Sequence, residues 1–434
     1  MTRNSTQPLS ISVAAVLLVL FAVSACTSNQ THGAPQKAWI AGWISAVSWR
    51  PQNPRDNELI AYTNQTVRQD VRVGFATDHL RLRLSNELGD EAIQVGGVRV
   101  ARIGPGDRAV SDDRAVSEGI PSGEGIPSGE DSLEAPVVAR FGGQESITLR
   151  PGEAVTSDSV ALKVPTFGDL AISVYYPGTA RPVTHRHMVR VAGGRDIPGT
   201  RLSPIRGPAI VSAVEVAVDP AAVPSVVVAF GDSITEGARS QAPHADWPSV
   251  LAQRLQQTCP GGFVVLNAGI SGNRLLGDGG SPGALSRLDR DVLSLADVSH
   301  VIVIEGINDI RAVDDAPREH MVDDLVAGYR QVVGRLHARG IKVIGGTLTP
   351  YQGTARQTDR GLATVARLNQ LIRGGDLFDG VIDFYAALDD PAAPGRMRPE
   401  MSSGDWLHPG DRGYAAMAEA IPVSLLGPCK SAAR

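Results

Sequence analysis

Between residues 38 and 218 apolar and polar positions tend to alternate. The run His79-Leu80-Arg81-Leu82-Arg83-Leu84-Ser85 has period two, as a strand with one buried face requires. Residues 98–100, 146–149, 160–164 and 170–176 continue the pattern, and Gly and Pro punctuate the runs at short intervals. No segment here carries the apolar stripe of a helix, so the pattern predicts an all-β domain of sandwich or jelly-roll type. Residues 219–224 (Asp-Pro-Ala-Ala-Val-Pro) read as an interdomain linker. Beyond them five short apolar runs, 226–230, 263–267, 301–305, 342–347 and 381–384, alternate with helical patterns over 246–257, 284–295, 319–339 and 359–372. A last helix is expected over 411–425. Met321, Leu325, Val332, Val333 and Leu336 form the stripe of a helix lying on a sheet. Buried parallel strands joined by crossover helices predict a flavodoxin-like three-layer α/β domain over 225–427. In such sheets ligands bind beyond the carboxyl ends of the strands.

The first 26 residues change the picture of where the chain works. Arg3 precedes an apolar stretch over 11–23, short for a bilayer span and suited to a signal-peptide core. Val23-Ser24-Ala25-Cys26 resembles a bacterial lipobox, which implies an exported protein lipidated at Cys26 and anchored to a membrane, or else ordinary cleavage and secretion. Residues 27–37 are small and polar, as a tether would be. The two remaining cysteines, Cys259 and Cys429, read as a disulfide in an oxidising compartment, with two free thiols as the alternative. A net charge of −5 and the absence of Lys/Arg runs argue against a nucleic-acid partner. Asp107 to Ser111 recurs at 113–117, and Gly119 to Glu124 recurs at once as 125–130; this reads as a duplicated surface loop, too few copies for a solenoid.

Candidate chemistry falls at the predicted strand ends. The first strand runs into Gly231-Asp232-Ser233-Ile234-Thr235, the second into a Gly-rich loop with Ser271-Gly272-Asn273-Arg274, and the third into Gly306-Ile307-Asn308-Asp309. Near the C-terminus comes Asp405-Trp406-Leu407-His408. In order and spacing (272 − 233 = 39, 308 − 272 = 36, 408 − 308 = 100) these segments resemble the four sequence blocks of the SGNH (GDSL-type) hydrolase superfamily. The β-rich leader is similar to that of its two-domain carbohydrate esterases.

The resemblance implies Ser233 as nucleophile, His408 as general base, Asp405 as its orienting partner, and an oxyanion hole from Ser233, Gly272 and Asn308. The chemistry needs these residue types in any case. A serine hydroxyl requires a base to take its proton. Histidine titrates near working pH, and a carboxylate on its other nitrogen fixes the tautomer. The oxyanion formed by attack on an ester needs donors already in place. Some esterases orient the base with a backbone carbonyl, so Asp405 stays open at this point. Asp232 and Asp309 read as loop supports, while Arg274 and Trp406 flank the site and either touch substrate or pack on the surface. His185 and His187 share one strand face, but no carboxylate or Cys completes a metal triad, and no metal or cofactor is expected.

The function expected is hydrolysis of carboxylic esters through an acyl-enzyme, on short (O-acetyl) groups of an acylated saccharide. The alternatives are a lipase, thioesterase or arylesterase, an acyltransferase, and a non-catalytic glycan-binding lipoprotein.

Overall fold

A computed structural model describes residues 37–48, 60–104, 133–184, 186–195, 202–312 and 320–429. The signal segment, Cys26, nearly all of the tether, the repeat at 107–130 and His185 lie outside the described residues.

The period-two segments form two antiparallel sheets. One contains Ala38–Ile44, Val211–Val218 and Thr77–Asn86 in that order, with Glu153–Thr156 and Val160–Val164 both paired to Thr77–Asn86. The other runs Ser203–Pro208, Arg186–Gly193, Tyr62–Val73, Gly168–Ala180, Gly97–Arg102, Val137–Ala139. Alternation decides which face is inward: Leu80, Leu82 and Leu84 are fully buried, while Arg81 and Arg83 between them pair with Glu215 (2.7 Å) and Glu87 (2.9 Å). Each buried leucine contributes about 1.5–3 kcal/mol, and slipping the strand by one residue would exchange the two sets. The sheets meet tightly at Gly42, where a Cβ would lie 2.9 Å from Val73 of the second sheet.

Ser225 opens the α/β layer. Its parallel strands are β1 (Ser225–Gly231), β2 (Phe263–Gly269), β3 (Val298–Ile304), β4 (Lys342–Gly346) and β5 (Gly380–Ile382), ordered β2-β1-β3-β4-β5. This is the flavodoxin-like order, and it puts the switch point between β1 and β3. β1 is buried at every residue, as its near-continuous apolar run requires of a central parallel strand. The helices are α1 (Ser233–Glu236), α2 (Trp247–Thr258), α3 (Ala284–Leu288), α4 (Ile307–Arg311), α5 (Met321–His337), α6 (Asp359–Arg373), α7 (Phe384–Leu388) and α8 (Asp411–Glu419). Asp246 caps α2 by accepting from the Ser249 N–H at 3.0 Å, and Thr358 caps α6 through Gly361.

Two helices are shorter than their patterns suggest. α3 gives way to a π turn over Asp289–Leu293, and α8 stops at Glu419 ahead of Pro422, which has no N–H to continue it. A 3₁₀ turn, Val423–Leu426, finishes the apolar run.

From Lys37 onward the β sheets and the α/β layer belong to one compact unit. Gly74 approaches Val264 of β2, and Arg290 donates to the Val47 carbonyl at 2.7 Å, tying the helical side to the β sheets. Cys259, at the end of α2, is disulfide-bonded to Cys429 with the Cα atoms 5.7 Å apart. Among the described residues, no helix is long and apolar enough to cross a membrane.

Candidate active site

Ser233 is the first residue of α1, immediately beyond the end of β1. The turn is set by Asp232, whose carboxylate caps α1 by accepting from the Ile234 N–H at 2.9 Å, and by Gly237, which ends the helix at φ +95°. Asn267 on β2 donates to the Thr235 carbonyl at 2.9 Å and holds the far end of this single turn. At Gly269 a Cβ would meet the Glu236 nitrogen at 2.2 Å, so the close approach of β2 to α1 depends on glycine.

The Ser233 hydroxyl lies 2.9 Å from His408 Nε2. His408 Nδ1 lies 2.6 Å from Asp405 Oδ2, and since a carboxylate can only accept, Nδ1 carries the proton and Nε2 is free to receive one from Ser233. The other Asp405 oxygen accepts from the Leu407 N–H (2.9 Å) and the His408 N–H (2.8 Å), so one loop fixes both partners. Burial alone would raise the Asp405 carboxyl. The hydrogen bonds from His408 and from the two backbone N–H groups outweigh burial and hold it well below the ordinary carboxylate range. Trp406 sits in this loop with φ +62°, a left-handed conformation that is unfavourable for a bulky side chain and maintained by the contacts around it.

Gly272 and Asn308 face the same strand ends. Gly272 has φ +73°, which accounts for glycine there, although a Cβ would meet nothing within 4 Å. Asn308 Nδ2 donates to the Asn273 carbonyl at 3.0 Å and makes only a long contact, 3.5 Å, to Asp232 Oδ2. One of its two N–H groups is therefore weakly committed. Asp309 is a support: its two oxygens accept from the Leu275 and Leu276 N–H groups at 2.7 and 3.0 Å. Burial pushes the Asp232 carboxyl up to about 6, against the Ile234 hydrogen bond and the His408 charge.

Below these loops lies Arg287, a residue that sequence reasoning did not single out. It is fully buried on α3 and donates to Asn273 Oδ1 (2.8 Å), to the Ala268 and Gly231 carbonyls (2.8 and 2.9 Å) and to Asp291 (3.1 Å). Glu305 stands 3.4 Å away, and the guanidinium stacks 4.0 Å from the centre of the Phe230 ring. One cation thus joins the ends of β1, β2 and β3 to the loop that carries Gly272. Burial and the Asp232 charge push the Glu305 carboxyl well above its ordinary range despite Arg287. The signal available in the sequence was an arginine at a position of α3 where the helix meets the sheet.

Arg274 lends its backbone carbonyl to the Ala284 N–H at 2.8 Å, and its charge lowers the Asp309 carboxyl within a net rise caused by burial. Trp406 is half-buried beneath the Arg396 guanidinium, which lies 3.6 Å from the ring centre. His187 is remote, 2.7 Å from Ser45 Oγ, and among the described residues no three His, Cys, Asp or Glu side chains converge as metal ligands.

With this geometry in place, the chain can be set beside known proteins. The model of the GDSL-like lipase/acylhydrolase family matches residues 229–416. These residues belong to that family. No curated protein matches the chain. Among solved structures, a lipase/acylhydrolase from Enterococcus faecalis is similar at 21% identity, covering 47% of this chain and 96% of its own, with a TM-score of 0.38. An acetylxylan esterase from Geobacillus stearothermophilus shows 21% identity over 49% of this chain and 100% of its own, TM-score 0.37. A GDSL-like lipase from Bacteroides thetaiotaomicron shows 20% identity over 46% and 87%, TM-score 0.34.

Proposed function

We propose that the chain is an exported serine esterase, lipid-anchored through Cys26, that removes short acyl groups from a saccharide. The observation that carries the catalytic part is the continuous hydrogen-bond path from Ser233 Oγ through His408 to Asp405.

As the Ser233 oxygen attacks the ester carbonyl, His408 Nε2 takes its proton and Asp405 stabilises the imidazolium. The negative charge passes to the carbonyl oxygen, where the Ser233 and Gly272 N–H groups and the loosely held N–H of Asn308 receive it. Collapse of the intermediate breaks the bond to the alcohol, which takes the proton back from His408. Water then repeats the sequence on the acyl-enzyme and restores the serine.

The short-acyl reading draws support from what surrounds the loops. Leu275 and Leu276 are the one pair of adjacent large apolar residues in the loop after β2. Both pack within about 3 Å of where a Cβ on Gly328 of α5 would lie, so they serve the core and do not line an acyl groove. Among the described residues the only large apolar side chain counted as exposed is Leu133, in the β sheets. A pocket for a long chain would need such side chains, each buried methylene being worth about 0.8 kcal/mol.

The decisive experiment is Ser233→Ala. It should lower kcat by several orders of magnitude on acetyl esters and abolish labelling by a fluorophosphonate; labelling that survives would remove Ser233 from the mechanism.

A further inference from the structure

The charged groups around the Ser233–His408 pair divide unevenly. The carboxylates are committed: Asp405 to His408 and two backbone N–H groups, Asp232 to the cap of α1, and Asp411 to Ser240 and the N–H groups of Gln241 and Ala242. The cations are not. Arg311 ends α4, three residues after Asn308, and senses the charges of Asp232, Asp405 and the exposed Arg356. Among the described residues it forms no ion pair, and its buried Nε has no hydrogen-bond partner. Burial, followed by the charge of Arg356, lowers its pKa, and the opposite charges of Asp232 and Asp405 offset this only in part. Arg396 lies flat on Trp406 of the His408 loop, again with a buried Nε that has no partner. Arg239 is exposed, its only ion-pair contact among the described residues a long one of 3.7 Å to Asp405.

Beside these groups is a half-open cavity of about 210 Å³ with an aliphatic wall that includes Leu362 and Val365 and a polar side formed by Tyr351, Gln352, Tyr385 and Gly395. It adjoins the His408 loop from two directions. Gln352 precedes Gly353, where a Cβ would lie 3.3 Å from the Trp406 ring, and Gly395 precedes Arg396. The volume is below the roughly 300–1,000 Å³ of drug-sized sites and suits a single ring. The half-buried Tyr385 ring, the aliphatic wall and the Gln352 amide are material for the apolar face and hydroxyls of a sugar, and guanidinium groups are material for a carboxylate or phosphate.

We infer that the ester substrate carries an anion close to its acylated hydroxyl, bound by Arg311 and Arg396 with its ring in the cavity beside Trp406. This rests on the serine-esterase reading and narrows its substrate to acylated acidic sugars. The anion is a carboxylate, as in a uronic acid, or a phosphate on the same ring. A neutral acylated glycan would bring neither guanidinium an ion-pair partner.

The test compares three mono-O-acetyl methyl glycosides that differ at one carbon: a galactoside, the galacturonoside and the galactoside 6-phosphate. Wild-type enzyme should favour an anionic ester over the neutral one by about tenfold or more in kcat/KM, equivalent to ~1.4 kcal/mol. The preference should shrink as KCl is raised. Arg311→Met and Arg396→Met should each reduce the anionic-to-neutral ratio severalfold, mainly through KM. Whichever anion is preferred identifies its source. Equal turnover of all three esters by wild type, or a ratio that neither substitution moves, overturns the proposal and leaves the esterase reading intact. Should none of the three be hydrolysed, calorimetric binding of galacturonate against galactose to the Ser233→Ala protein reads the same preference, and equal binding overturns it.

Discussion

Replacing Arg287 by methionine tests whether the buried guanidinium organises the site. The substitution keeps apolar bulk over Phe230 and removes every donor. The Gly231 and Ala268 carbonyls, Asn273 Oδ1 and the Asp291 carboxylate then lose a partner in the interior, where side-chain exposure of Arg287 is 0% and of Asp291 4%. Asp291 keeps Arg290, at 2.6 Å, so the loss is not that of a bare charge. Each orphaned polar group costs about 1–3 kcal/mol, and breaking a buried pair from one side about 3–5 kcal/mol in total. Allowing for relaxation, the lower total is the sounder figure, about 3–5 kcal/mol. For a compact unit spanning Lys37–Arg434, about 2.1 cal/mol/K per residue gives an unfolding entropy of roughly 0.8 kcal/mol/K, so the melting temperature should fall by roughly 4–6 °C. Since Asn273 also accepts from Asn308, kcat on a p-nitrophenyl acetate should fall more than KM rises, measured well below the lowered melting point. Arg287→Lys keeps the charge but not the fork and should lie between the two. A methionine variant that melts within 2 °C of wild type with unchanged kcat would refute the role assigned to Arg287.

Three further outcomes are expected. Asn308→Ala should lower kcat about 10²–10³-fold with little change in KM, because its bond strengthens only as negative charge develops; a rise in KM alone would make it a substrate contact. Cys429→Ser, read by chemical denaturation, should cost about 2–5 kcal/mol, since the bridge closes a span of 170 residues. Asp232, raised from 3.8 to about 6, holds its proton more tightly folded than unfolded, so its contribution to stability is present below 3.8 and lost as pH rises through 6. That loss amounts to about 3 kcal/mol between pH 4 and 7, and Asp232→Asn should flatten the corresponding slope in calorimetry; Asp405, with its carboxyl lowered, acts in the opposite sense.

The sequence made the strands legible where one physical rule acted alone. Thr77–Asn86 alternates because only one face meets the core, and β1 is uniformly apolar because both faces do. Three of the four polar blocks stood out because each interrupts an apolar run at a strand end, and the fourth, Asp405 to His408, because it pairs an Asp with a His three residues on. Tyr62–Val73 was not picked out, since Gln69 and Arg68 are buried on it and their polar character hides the period. The end of α3 was hidden because a π turn keeps the apolar spacing nearly intact. Arg287 escaped for a related reason: much of its importance lies in backbone carbonyls drawn from two strands, and a carbonyl has no letter in a sequence.

The first and last strands of the β sheets are paired antiparallel, with Ala38 opposite Val218, so the chain enters this part of the fold beside the point where it leaves for β1. A mechanical load applied at Lys37 and resisted by the α/β layer would therefore not pull along the ladder. It would pull across the ladder's open end, where one pair of hydrogen bonds carries the whole force and yields before the next is loaded. The Ala38 strand would peel away first, exposing the flank of Val211–Val218. If the protein is held at a surface by its N-terminal side, this zipper is the part that gives first under drag, and a tug at the anchor costs the molecule a replaceable edge strand before it disturbs Ser233.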